Sequence, residues 1–116
     1  MIRSKENTDS YTWGDNCLGW PLLETEGLSI KEELMPPNTQ ERPHFHKKAQ
    51  QFFRILKGQA IFEMEDESVL VKQGEGILIP PNTVHCIRND ARENLEFIVI
   101  SAPSTRGDRY EIENHK

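Results

Sequence analysis

Turn-forming residues punctuate this chain at short intervals, and that spacing limits what it can fold into. Pro36-Pro37-Asn38, Lys57-Gly58, Asp66-Glu67, Gln73-Gly74-Glu75-Gly76, Pro80-Pro81-Asn82 and Ala91-Arg92-Glu93-Asn94 each interrupt a short apolar or alternating run. Proline presets the backbone for the first central turn position, while glycine and asparagine tolerate positive φ. The intervals leave room for strands and show no sustained helical period.

The runs read as strands over 28–35, 51–56, 59–65, 69–71, 77–79, 83–89 and 95–100, with a short one at 110–112. In 59–65, Ala60, Phe62 and Met64 share one face while Ile61, Glu63 and Glu65 share the other. That alternation marks an antiparallel strand with one wet face. Ile77-Leu78-Ile79 reads as a buried strand. Residues 1–16 read as polar and irregular until Tyr11-Thr12-Trp13. An N-terminal arm over 1–22, anchored by Trp13 and Trp20, is expected to pack on the body or on a second subunit. The body spans 23–102 and a polar tail 103–116. The pattern predicts an all-β sandwich or barrel.

The segment Pro43-His44-Phe45-His46-Lys47-Lys48-Ala49-Gln50-Gln51 concentrates the chemistry. In an extended strand, His44 and His46 present their imidazoles on one side. Neutral imidazole is the commonest protein ligand for metals. Gln51 lies an odd number of residues beyond His46, so residues 47–50 must turn or bulge for it to face the same ion. His85 adds a third imidazole. The fourth histidine in the chain, His115, lies in the tail. His44, His46, His85 and Gln51 are therefore the expected metal ligands.

These residues occur in two spaced motifs. His44-Phe45-His46, four residues, Gln51, six residues and Gly58 form the first. Gly74, Pro80-Pro81-Asn82, His85 and Asn89 form the second. The chain resembles a small single-domain cupin, and the motifs span 43–89. The resemblance implies a double-stranded β-helix, or jelly-roll barrel, holding one divalent transition metal ion: Fe, Mn, Ni, Zn or Cu. Asn82 stands where the family usually has glycine; asparagine is the next best residue for a left-handed backbone. Gln51 stands where the family usually has a carboxylate. Its neutral amide leaves the ion's charge uncompensated and favours an anionic ligand.

The resemblance further implies a metal-dependent enzyme acting on a small oxygen-rich molecule, of dioxygenase or sugar/uronate isomerase type. The alternative is a non-catalytic module that binds a sugar or organic acid. Phe53, Ile55, Phe62 and Met64 are the expected substrate-pocket wall. Arg106 is a candidate carboxylate clamp at the cavity mouth, and Glu33 a similar candidate for a place at that mouth. Arg54 is expected on the surface.

The net charge of −5 argues against nucleic-acid and anionic-membrane partners. The expected partners are a small-molecule ligand and a second copy of the chain. No apolar run approaches the ~18 residues of a membrane span, and the first residues lack a secretory apolar stretch. The expected location is cytoplasmic. Cys17 and Cys86 are expected to be reduced thiols, with Cys86 pointing away from the metal.

Overall fold

A computed structural model describes residues 1–112, which leaves His115 outside the described residues. The strands are β1 (Tyr11–Trp13), β2 (Cys17–Glu24), β3 (Ser29–Met35), β4 (Thr39–Gln40), β5 (His44–Phe45), β6 (Gln50–Lys57), β7 (Gln59–Met64), β8 (Ser68–Lys72), β9 (Gly76–Ile79), β10 (His85–Asn89), β11 (Leu95–Ala102) and β12 (Tyr110–Glu111). One sheet runs β1-β2-β3-β11-β6-β9. The other runs β12-β5-β10-β7-β8, with β4 also paired to β10. All pairings are antiparallel. The architecture is the all-β jelly roll. The only helix among the described residues is a 3-10 turn, Lys5–Asn7. Among the described residues, no helix is long and apolar enough to cross a membrane.

The turns follow the local chemistry. Asn38 and Asn82 take positive φ, at 62° and 64°, and Gly58 sits at 83°. A Cβ at position 58 would come within 2.7 Å of the Asn94 carbonyl oxygen, so glycine suits this turn twice over.

Two expectations are corrected. Residues 11–13 and 17–24 are strands of the larger sheet, so the 22/23 boundary falls inside β2. β1 pairs with β2, and β2 with β3. The N-terminal turn is also drawn onto the sheet: the Lys5 ammonium lies 3.4 Å from Glu32 and 4.9 Å from the Trp20 ring centroid. The second correction concerns β9. Ile79 is buried but Leu78 is 54% exposed, because β9 is an edge strand with only one face on the core.

Register across the first sheet sorts the interior into rows. Ser29, Ser101 and Gln51 align, as do Lys31, Val99 and Phe53. Glu33, Phe97 and Ile55 follow, then Met35 and Leu95. The rows pass from polar to apolar along the axis. At the apolar end Met35, Ile55, Phe62, Ile87, Leu95 and Phe97 are almost fully buried. Each such side chain contributes about 1.5–3 kcal/mol on leaving water. The polar end holds the site.

Candidate metal centre and its cavity

His44 lies in β5 and pairs directly with His85 in β10. His46 follows β5 at once. All three imidazoles are buried, at 4% exposure or less. His44 Nδ1 lies 2.9 Å from the Arg42 carbonyl oxygen, His46 Nδ1 2.7 Å from that of Asp108, and His85 Nδ1 2.8 Å from that of Thr83. A carbonyl oxygen only accepts, so each Nδ1 must carry the proton and each Nε2 keeps a lone pair. One ring nitrogen from each histidine lies within 4.8 Å of those from the others. Two metal–nitrogen bonds span at most about 4.2 Å, so a pair at the 4.8 Å limit must close by about 0.6 Å for one ion to bind all three.

Gln51 joins them from the other sheet. Residues 47–49 turn, which resolves the parity problem and puts Gln51 on the inner face with Phe53 and Ile55. The turn is held by a residue that the sequence reading passed over. The buried Asp108 carboxylate accepts hydrogen bonds from the backbone N–H groups of Lys47, Lys48 and Ala49, each at 3.0 Å. Burial pushes the Asp108 carboxyl up, but these three donors outweigh it and hold it below the usual carboxylate range. Its own carbonyl orients His46, so one tail residue fixes both the turn and a ring.

The donor set fits a transition metal ion. Gln51 Nε2 donates to Ser101 Oγ at 3.0 Å, which leaves Oε1 without a protein partner. His46 Nε2 and His85 Nε2 are likewise buried and unpartnered. Each such atom costs about 1–3 kcal/mol when unmet, and a shared cation would satisfy all three. Burial lowers the pKa of His44 to about 3 and of His85 to about 4, and lowers that of His46 as well. The imidazoles are therefore neutral at pH 7, the form that binds metal.

A cavity of about 240 Å³ opens beside His44, His46 and Gln51. Of the expected pocket wall, only Phe53 lines it. Ile55 and Phe62 lie wholly in the core, and Met64 packs against that core half-buried. All three point inward as the alternation required; Ile55 and Phe62 fill the core, whereas Met64 pairs with His85 and lies in the row of the metal-site histidines. Arg106 is exposed and lines not this cavity but an adjoining groove, with Met1, Arg3 and Pro21, that shares Tyr11 and Lys31 with it. Arg54 is exposed. Cys17 and Cys86 are both free and buried.

The polar wall is mostly new. It includes Tyr11 from β1, Lys31 and Glu33 from β3, Glu41, and Arg109 from the tail. Tyr11 pairs with Gly19, and Gly19 with Glu33. A Cβ at Gly19 would come within 2.3 Å of the Tyr11 ring. The missing side chain lets Tyr11 lie across β2 and donate to Glu33 Oε2 at 2.6 Å. Burial raises the Tyr11 pKa and that of Glu33, and pushes the Glu41 carboxyl up to about 8. Arg109 Nη1 lies 3.8 Å from Glu41 Oε2.

In β3 the apolar Ile30 and Leu34 share a parity, which suggests that they face inward. They face outward, and Ser29, Lys31, Glu33 and Met35 face in, because this wall borders a polar cavity. Parity with the buried Met35 was the available signal. Arg109 and Asp108, in the tail, had none.

Known proteins share this fold. The KdgF structure from Halomonas sp. superposes with a TM-score of 0.83 at 16% identity, covering 92% of this chain and 98% of that one. The polyketide cyclase RemF from Streptomyces resistomycificus gives 0.83 at 18% identity, covering 100% and 88%. At those identities the likeness is one of fold. An uncharacterized protein of Methanocaldococcus jannaschii is 30% identical over 84 residues, 72% of this chain and 67% of that protein. The cupin-domain family profile matches residues 31–101, the stretch that contains all three histidines and Gln51, and this chain belongs to the cupin family.

Proposed function

We propose that this chain is a metal-dependent enzyme acting on a small oxygen-rich molecule, its divalent transition metal ion held by His44, His46, His85 and Gln51. The observation that carries the reading is the set of buried donor atoms at His46 Nε2, His85 Nε2 and Gln51 Oε1, which face no protein partner. Iron, manganese, nickel, zinc and copper all suit imidazole-rich sites. When bound, such an ion polarises substrate oxygens as a Lewis acid.

The chain's own groups favour proton transfer over dioxygen chemistry. Glu33 and Glu41 stand in the cavity wall, and burial raises both carboxyls, Glu41 to about 8, which suits Glu41 to exchange protons near neutral pH. Tyr11 holds Glu33 in place. Phe53, Ile87 and Val99 supply an apolar wall that limits water. This supply of acid–base groups supports an isomerase-type enzyme over a passive sensor. The polyketide cyclase among the structural neighbours is consistent with small-molecule chemistry on this scaffold.

Mass spectrometry after purification without chelator should find about one ion per chain, lost in His85→Ala. Failure to hold any of the five metals after reconstitution overturns the metal reading. The enzyme half is tested with a panel of uronates and 2-oxo acids in D2O. Glu33→Gln should keep the metal and lose deuterium incorporation. No incorporation or turnover in the wild type supports the binding-module alternative.

A homodimer is part of the proposal. Leu78, Phe52, Ile100, Ile30 and Leu23 align across five strands on the outer face of the larger sheet. Leu78, Phe52 and Leu23 are 54%, 39% and 37% exposed. Arg54 and Glu32 flank Ile98 on either side. A twofold axis along β11 would bring Arg54 of one copy to Glu32 of the other.

A further inference from the structure

We propose that the ligand of this cavity carries a carboxylate, seated by Lys31 and Arg109. The inference rests on the metal-centre reading for the ligand's other end only.

Lys31 is the first ground. It stands on the inward face of β3, in register with Val99 and, beyond it, Phe53. It is half-buried. Among the described residues no carboxylate lies within 4.0 Å of its ammonium, and the Tyr11 ring centroid is 5.9 Å away. Turning an ammonium into a protein interior costs desolvation, which a counter-charge offsets. Glu33 acts on this ammonium only from beyond 4.0 Å.

Arg109 is the second. Its Nε donates to Glu111 Oε2 at 3.4 Å. Its Nη1 lies 3.8 Å from Glu41 Oε2, beyond hydrogen-bond reach. The Nη1/Nη2 edge of the guanidinium therefore makes no hydrogen bond among the described residues. That planar edge matches a carboxylate's two oxygens. Lys31 and Arg109 line one cavity, and both are close enough to Glu33 to pull its pKa down against burial.

Charge and size narrow the class. The expected ligands for the metal are three neutral imidazoles and a neutral amide, so no protein anion in the ligand set offsets the ion's charge. The cavity is smaller than the roughly 300–1,000 Å³ of drug-sized pockets. A phosphate dianion suits it less well, because the Glu33 and Glu41 carboxyls share the wall. A short carboxylic acid with a further oxygen for the metal fits all of these features.

Calorimetry on the metal-loaded chain tests this with acetate, oxalate, malonate, succinate and glutarate, with malonamide as the neutral control and inorganic phosphate as the competitor. At least one carboxylate should bind, and malonamide should bind on the order of tenfold or more weaker than malonate. Lys31→Met keeps the apolar stem, and Arg109→Gln keeps a donor. Each should weaken the best carboxylate by on the order of tenfold, with metal content and thermal unfolding at wild-type values. The proposal is overturned if no carboxylate binds at about 10 mM, if malonamide matches malonate, if phosphate binds more tightly than every carboxylate, or if Lys31→Met leaves the affinity unchanged. Failure of the metal reading looks different. The chain would then hold no ion, yet would still bind a carboxylate in a Lys31-dependent way.

Discussion

Asp108→Ala removes the single carboxylate that pins residues 47–49. Three backbone N–H groups lose an acceptor at 3.0 Å. Hydrogen bonds to a charged group contribute about 1.5–3 kcal/mol each, but the three losses will not add in full. Lys47 and Lys48 are exposed, and their N–H groups can turn to water. Ala49 is 2% exposed, so its N–H is stranded. The expected destabilisation is about 3 kcal/mol, one stranded buried donor plus part of the other two. For a domain of this size that lowers the Tm by about 12 °C. The turn also carries His46 and sets the face of Gln51, so metal affinity should fall about 10–100-fold. Urea unfolding of the metal-free chain measures the first effect and competition with a coloured chelator the second. Asp108→Asn keeps an acceptor oxygen and should fall between the two. Arg106→Ala, at an exposed neighbour, should change stability by less than about 0.5 kcal/mol. If Asp108→Ala unfolds within about 0.5 kcal/mol of wild type, the carboxylate is not what holds the turn.

Other outcomes follow from the same contacts. Burial raises Glu41 to about 8, so between its ordinary value and pH 8 the unfolded chain binds fewer protons than the folded one. Stability contributed by protonated Glu41 is full below the unfolded pKa and declines as pH rises toward 8. Denaturation midpoints measured from pH 5 to 8 should fall less in Glu41→Gln than in wild type; parallel curves contradict the assignment. Gly19→Ala places a methyl against the Tyr11 ring and should cost about 1–3 kcal/mol. Combining it with Tyr11→Ala should recover most of that loss in a double-mutant cycle, whereas simple additivity would show that the ring is not the obstacle. Phe52→Glu puts a charge in the outer apolar stripe and should turn the proposed dimer into a monomer in light scattering; a wild-type chain that is monomeric at micromolar concentration removes the dimer altogether.

The strand periodicity, the asparagine turns and the paired motifs made the jelly roll and the histidine cluster legible in the sequence. These signals are local: a period-two pattern fixes which side chains share a face, and a positive φ restricts which residues a turn accepts. The spacing of His44, His46 and Gln51 even required a turn at 47–50. It did not reveal that Asp108, some sixty residues later, would hold it.

What lay beyond the sequence was the position of each inward-facing residue along the axis of the fold. Phe62 alternates as a pocket wall does, yet it is fully buried in the core, while Lys31 and Glu33 line the cavity beside apolar residues that face outward. Alternation gives the face but not the depth, and depth depends on which rows of two separate sheets meet. Tyr11 reaches Glu33 only because Gly19 lies between them in the register. The amino-acid order alone thus determined the strands, the turns and three imidazoles suited to a metal. Tertiary structure decided which charges join them, because long-range register brings those residues together and no local preference encodes it.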